Sequence, residues 1–326
     1  MSQKFKGLTF IFLFACLFLF SCVGTPLKYT ARDFVVVETT KDDTLENLAG
    51  KYLNDPKKAW MISEFNKIKE VRQGQRIVIP LKPFNKGGLS KEGFQVVPIF
   101  CFNITDSEKQ GNKASAQSRF DALLGHLERN GYHVISLSQF MDFINYTGQI
   151  PEKSVVITVD DNSRAVTDWV LPALKAHDFP VTLFVDARET GKEGNVALDQ
   201  LKPYLSSGLS VGCRAGWALD KEIEQNQLNL KVYFENLEKE IGYSKNAVEK
   251  ETGMACRYYA YPPTGWNHLL VSQIKKYGFK AGLTLNGQPN PFYVDSFAVE
   301  RTVVSVSASI EEFEKKLVVF SKMDLN

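Results

Sequence analysis

The sequence predicts an α/β protein: a barrel-like repeat of strand–helix units, preceded by a small strand–helix–helix–strand unit. Three observations predict it. From Phe94 onward, apolar β-branched runs alternate with amphipathic helical patterns. The runs VVITVD (155–160) and VTLFVD (181–186) are apolar at successive positions. That marks strands covered on both faces, as in a parallel sheet wrapped in helices or closed into a barrel. Ahead of them, two strand-like runs enclose two helical patterns in residues 33–81, set off by a Lys/Gly-rich stretch.

The N-terminal residues stand outside this fold. Lys4 and Lys6 precede an uncharged run, residues 8–20, that is too short to span a bilayer comfortably and reads as a signal-peptide core. It ends in LFSC. Leu19, Ser21 and Cys22 resemble a bacterial lipoprotein cleavage box, which implies loss of residues 1–21 and lipid on Cys22. Val23 carries no inner-membrane retention signal, which points to an exported protein anchored in the outer membrane and facing the periplasm. Residues 22–32 read as a linker. Cys101, Cys213 and Cys256 are then the remaining cysteines, an odd number that makes no complete disulfide framework; a single Cys213–Cys256 bridge is left open. The 39 Lys and Arg balance 37 Asp and Glu, so nothing here calls for nucleic acid as a partner.

In 33–81, FVVVE and RIVIP are the strands. Thr44 is placed to cap a helix carrying Leu45, Leu48, Ala49 and Tyr52 on one face, and Trp60, Ile62, Phe65 and Ile68 mark a second helical stretch. The Asp43-Thr44-Leu45 turn, the Phe65-Asn66 pair and the Gly74-Gln75…Ile79-Pro80 ending closely resemble a LysM domain. The resemblance implies binding to peptidoglycan or another N-acetylglucosamine polymer. The sugar would lie in a shallow groove around 42–45 and 68–73, with Asp43, Thr44, Leu45, Ile68 and Glu70 as contacts. Residues 82–93 read as a linker.

From 94 to 326 the chain alternates VVPIFCF, a helix over 119–132, HVISLS, VVITVD, a helix over 169–179, VTLFVD, LSVGCR, CRYYAYP, a helix from His268 and FKAGLTL. Chemistry in such folds gathers at strand C-termini, where Asp160-Asp161, Cys213-Arg214 and Pro262-Pro263 fall. Adjacent carboxylates ending an apolar strand repel one another and need a cation.

This stretch resembles the polysaccharide deacetylases of carbohydrate esterase family 4. VVITVDDN matches that family's T-F-D-D-G motif, YYAYPPTG its third motif region and DSFAVERTVV (295–304) its fourth. The resemblance implies a deacetylase-type (β/α) barrel and metal-assisted hydrolysis of N-acetyl groups. Asp160 takes the base position, Asp161 a metal-ligand position, and Asp295 and Arg301 fit the fourth motif. Asn162 replaces the motif glycine, an exchange expected to suit left-handed backbone. In register, Arg214 and Ala218 stand where two metal-binding histidines belong, and neither offers a lone pair to a metal. Ala260 stands at an arginine position, Cys101-Phe102-Asn103 at a Cys-Tyr-His of one branch, and no histidine follows His268 to serve as general acid. His126, His133 and His177 read as surface or packing residues, and Cys101 and Cys213 as small buried ones.

No cofactor is therefore expected, unless rearranged ligands hold zinc or another divalent metal. Arg214 is the expected resident cation against Asp160 and Asp161. The leading expectation is an envelope lipoprotein that grips glycan and carries an inactive deacetylase domain. The alternatives are an active N-deacetylase with rearranged ligands, or a structural partner of exopolysaccharide export machinery.

Overall fold

The computed structural model describes residues 28–104, 113–214, 230–263 and 265–323. The signal peptide 1–21, Cys22, Ala218 and Thr264 lie outside the described residues. The chain divides into two units between Lys82 and Pro83.

In the first unit β1 (Lys28–Thr30), β2 (Phe34–Glu38) and β3 (Arg76–Pro80) form an antiparallel sheet in that order. Residues 28–30 thus extend the sheet, where the sequence suggested linker. The Thr44 hydroxyl accepts from Asn47 N at 3.1 Å and caps α1 (Leu45–Leu53); α2 (Ala59–Asn66) follows. Left-handed residues, Asn54 and Lys67, end both helices. The core is Val35, Val37, Leu45, Leu48, Ala49, Ile62, Ile77 and Ile79. Phe65 is exposed instead of buried. Asn66, four residues after Ile62, takes the place over the sheet: its amide exchanges two hydrogen bonds with Val78 of β3, at 2.6 and 2.9 Å.

Much of 82–93, read as linker, belongs to the second unit. The Phe84 and Asn85 amides donate to the Gln149 side chain, and β4 (Leu89–Ser90) pairs with β5 (Gly93–Val97). Here β5 also pairs antiparallel with β13 (Asn290–Pro291) and β15 (Phe320–Lys322). Gly93, at φ 143°, is required: a Cβ would sit 2.0 Å from the Ser321 carbonyl. Pro98 cannot donate to a ladder, so VVPIFCF becomes two strands, β5 and β6 (Ile99–Asn103).

The main sheet is parallel throughout. Its order is β12 (Ala281–Leu283), β11 (Tyr258–Ala260), β10 (Leu209–Arg214), β9 (Val181–Val185), β8 (Ser154–Asp160), β6 and β14 (Thr302–Ser305), with β7 (His133–Ile135) pairing the start of β8. A bridge from Leu283 to Val299, three residues before β14, joins the far edges and curls the sheet into a half-barrel. The expected α/β barrel-like architecture is what forms.

Alternation along each strand sorts the side chains. Ile157, Val159, Val185, Val211 and Tyr259 face outward. They meet α3 (Lys113–Arg129), α5 (Leu171–Ala176), α7 (Leu230–Thr252), α8 (His268–Lys276) and α9 (Ile310–Glu314), with α4 (Leu137–Ile144) and the short α6 (Lys202–Leu205) completing the helices. Ile99, Val156, Phe184, Ala260 and Leu283 face inward, with Phe140 and Phe143 of α4. Val166–Val170 is one wide π-type turn leading into α5, so the helix expected over 169–179 is regular α-helix only to Ala176.

Candidate active site

Thr158 and Asp160 continue the inward face of β8 to its C-terminal end. Arg301, just before β14, is fully buried and reaches Asp160 with both Nη atoms, at 2.6 and 2.9 Å from the two carboxylate oxygens. Its Nη1 also donates to the Thr158 hydroxyl (3.3 Å), Nε donates to the Thr284 carbonyl (3.3 Å), and the guanidinium lies 5.0 Å from the Phe184 ring centre. Four of the five guanidinium donors are thereby satisfied in a place closed to water. Burial is the largest single influence and works against the charge, but the Asp160 charge, Cys101 and the Asp160 hydrogen bonds together raise the Arg301 pKa above its ordinary value.

Cys101 of β6 pairs in register with Thr158, and its thiol hydrogen-bonds Asp160. Burial, then the Asp160 charge, push this thiol up to about 12. It is a neutral donor at ordinary pH. The sequence suggests only a packing role for Cys101; its place beside Asp160 comes from the pairing of β6 with β8.

The next three residues are held by the loop after β9. Asp161 is buried, and its Oδ1 accepts from Ser163 N at 2.5 Å. Asn162 is not left-handed; positive-φ non-glycine residues, among those described, occur elsewhere. Its side chain instead exchanges two 3.0 Å hydrogen bonds with the Asp186 backbone. Arg214, ending β10, lies 3.5 Å from the Asn162 Oδ1 through Nη2, and its buried Nε has no hydrogen-bond partner among the described residues.

Histidines do not gather here. His126 on α3 faces Glu314, His133 opens β7, His177 sits between Asp121 and Glu128, and His268 opens α8, exposed and edge-on to Trp266. Among the described residues no group of three or more His, Cys, Asp and Glu stands together as a metal site.

Residues 147–282 match the family model for polysaccharide deacetylase. This stretch of the larger unit is similar to the polysaccharide deacetylases. The Bacillus subtilis protein YxkH, which bears a polysaccharide deacetylase name, is 22% identical over 218 residues, 67% of this chain and 74% of that one. Among solved structures, IcaB from Ammonifex degensii superposes with a TM-score of 0.59 at 19% identity, covering 70% of this chain and 98% of that chain. The Streptococcus pyogenes deacetylase PplD, in complex with acetate, gives 0.57 at 19% identity over 69% and 99%. These likenesses show the fold.

Within the larger unit one expectation is corrected. The cation paired with Asp160 is Arg301, just before β14, not Arg214 at the end of β10. Strand order sets β14 beside β6 and β6 beside β8, so Arg301 reaches over β6 to Asp160, whereas Arg214 points toward the Asn162 side chain. Asp295 does not join Asp160 and Arg301: it is exposed, its Oδ1 accepts from Phe297 N at 2.8 Å, and its charge, after burial, raises the Tyr261 pKa.

In the first unit, a groove of about 890 Å³ is lined by Lys67, Ile68, Lys69, Glu70, Arg72 and Gln73 with Gly74 and Gln75. Of the residues expected to touch glycan, Ile68 and Glu70 lie in it. Asp43 accepts from Thr40 N and its hydroxyl, Thr44 caps α1, and Leu45 is buried, so these three shape the turn. Thr39 ties that turn to the groove, its amide donating to the Gln75 carbonyl and its own carbonyl accepting from Gly74 N.

Proposed function

We propose that this chain is a cell-envelope lipoprotein that binds peptidoglycan or a related N-acetylated glycan, and that its deacetylase domain has lost metal-dependent hydrolysis. One observation carries the second half: the residue ending β10 is Arg214, its guanidinium beside Asn162. A deacetylase metal needs imidazole there, and a guanidinium supplies a positive charge without a lone pair. The residues present do not fit a divalent metal at Asp161, so no hydrolytic step is routed through one. The open groove lined by Ile68 and Glu70 supports glycan binding by the LysM-like unit. The apolar leader and Cys22 support the lipid anchor.

The test is a calorimetric titration of Zn2+ into metal-stripped protein, repeated with Asp161→Ala and paired with peptidoglycan retention and an acetate assay. Retention without acetate and without one-to-one zinc binding is expected. Tight zinc binding abolished by Asp161→Ala, with acetate released, would replace this reading.

A second reading, an N-deacetylase with rearranged ligands, draws on the intact Asp160. Arg301 holds that carboxylate in a fixed orientation at the strand end where the family places its base. Acetate release lost on Asp160→Asn would select it.

A further inference from the structure

The Sγ atoms of Cys213 and Cys256 lie 3.1 Å apart, and both residues are fully buried. Cys213 is the penultimate residue of β10, next to Arg214; Cys256 lies in the turn between α7 and β11. That turn is fixed from two sides. Cys256 N donates to Glu249 Oε1 at 3.0 Å, and the Cys256 carbonyl accepts from Lys245 Nζ at 2.6 Å, while Lys245 and Glu249 pair with each other at 2.7 Å. The backbone therefore aims the Cys256 sulfur at β10 without help from the sulfur itself. Both cysteines belong to the main apolar core of the larger unit, together with Leu237, Ile241, Val248 and Phe279.

We propose that Cys213 and Cys256 are a disulfide-forming pair that ties the C-terminal end of β10 to the start of β11 when the chain folds under oxidising conditions. A bonded pair of sulfurs stands at about 2.0 Å, so an approach of about 1 Å closes it. The oxidant is a disulfide-carrying one, a protein or small-molecule disulfide. The thiolate of one cysteine attacks a sulfur of that disulfide, forming a mixed disulfide and releasing one thiol. The thiolate of the second cysteine then displaces the other. Two cysteine thiols are oxidised, one external disulfide is reduced, and both protons end on the oxidant's sulfurs. Because solvent does not reach either sulfur in the folded state, closure belongs to folding. The 43-residue separation encloses α7 and the chain leaving Arg214, so the bond removes much freedom from the unfolded chain. The pair accounts for two of the three cysteines after Cys22 and leaves Cys101 as a thiol, as its contact with Asp160 requires. That such a bond forms in the cell rests on the export proposed above; its formation in the purified protein does not.

The test uses the full chain in detergent. The protein is refolded with oxidised glutathione, unfolded in guanidinium with N-ethylmaleimide and no reductant, digested and weighed. A peptide joining Cys213 to Cys256 that disappears on reduction is expected, with Cys101 alkylated. The joined form should melt roughly 10 °C above the reduced form, and Cys213→Ala/Cys256→Ala should melt with the reduced form and ignore reductant. Both cysteines alkylated after refolding with oxidised glutathione would overturn the proposal, whether or not the double variant folds. A joined peptide in refolded protein, with free thiols in protein taken from its cells, supports the pair and retires the export reading alone.

Discussion

Arg301 and Asp160, 141 residues apart in the chain, meet as a two-pronged ion pair with one partner sealed from water and the other nearly so. A buried guanidinium that loses its carboxylate keeps the whole desolvation cost. Asp160→Ala should therefore destabilise the larger unit by roughly 3–5 kcal/mol. Arg301→Lys, which keeps the charge but not the fork, should fall between it and the native protein. Denaturant unfolding followed by tryptophan fluorescence measures both. A change below about 1 kcal/mol for Asp160→Ala would mean that the pair behaves like a surface contact.

Among the described residues Arg214 has no such carboxylate partner, and its buried Nε has no acceptor. Arg214→Ala should leave stability within about 1 kcal/mol of native. Arg214→His combined with Ala218→His should create one-to-one Zn2+ binding that Asp161→Ala then removes. Calorimetry with no heat of binding for the double variant would show that Asp161 is not placed as a ligand.

Asn66 joins α2 to β3 in the first unit, taking the Val78 amide and giving to the Val78 and Ile62 carbonyls. Asn66→Ala strands those backbone groups, at a cost of about 1–3 kcal/mol. The unfolding midpoint should fall accordingly. An unchanged midpoint would mean that water replaces the amide.

Cys101 makes stability depend on alkaline pH. Its folded pKa, about 12, lies above the unfolded value of 9.0. The stabilisation is therefore complete below pH 9 and is lost as pH rises from there toward 12, by at most about 1.4 kcal/mol per pH unit for one proton. Buried Tyr259 adds a loss of the same sign at higher pH. Melting curves of Cys101→Ala should decline less steeply between pH 9 and 11 than those of the native protein. Parallel curves would place the thiol in contact with solvent.

Glu70 and Gln73 lie in the groove of the first unit, away from its core. Glu70→Ala with Gln73→Ala should lower retention on peptidoglycan about tenfold, a loss of about 1.4 kcal/mol, with the melting curve unchanged. Full retention would move the glycan site elsewhere.

The sequence by itself determined what is local. Apolar runs on both faces gave the parallel strands, Thr44 gave the start of α1, and the strand ending in Asp160-Asp161 gave the position of the site, because periodicity and capping act over a few residues. Its errors were local as well: Pro98 split one run into two strands, and residues 83–93 found partners in Gln149 and β5 that no short window contains. Only the tertiary structure decided which cation meets Asp160, that Cys101 stands beside it, and that Cys213 faces Cys256. Each of those meetings depends on strand order, which sets β6 and then β14 on one side of β8 and β11 beside β10, and so brings distant residues into one small volume. Nothing in the spacing of Asp160 and Arg301 records that. The choice between Arg214 and Arg301 is made by which strand's inward face each side chain occupies once the barrel has curled.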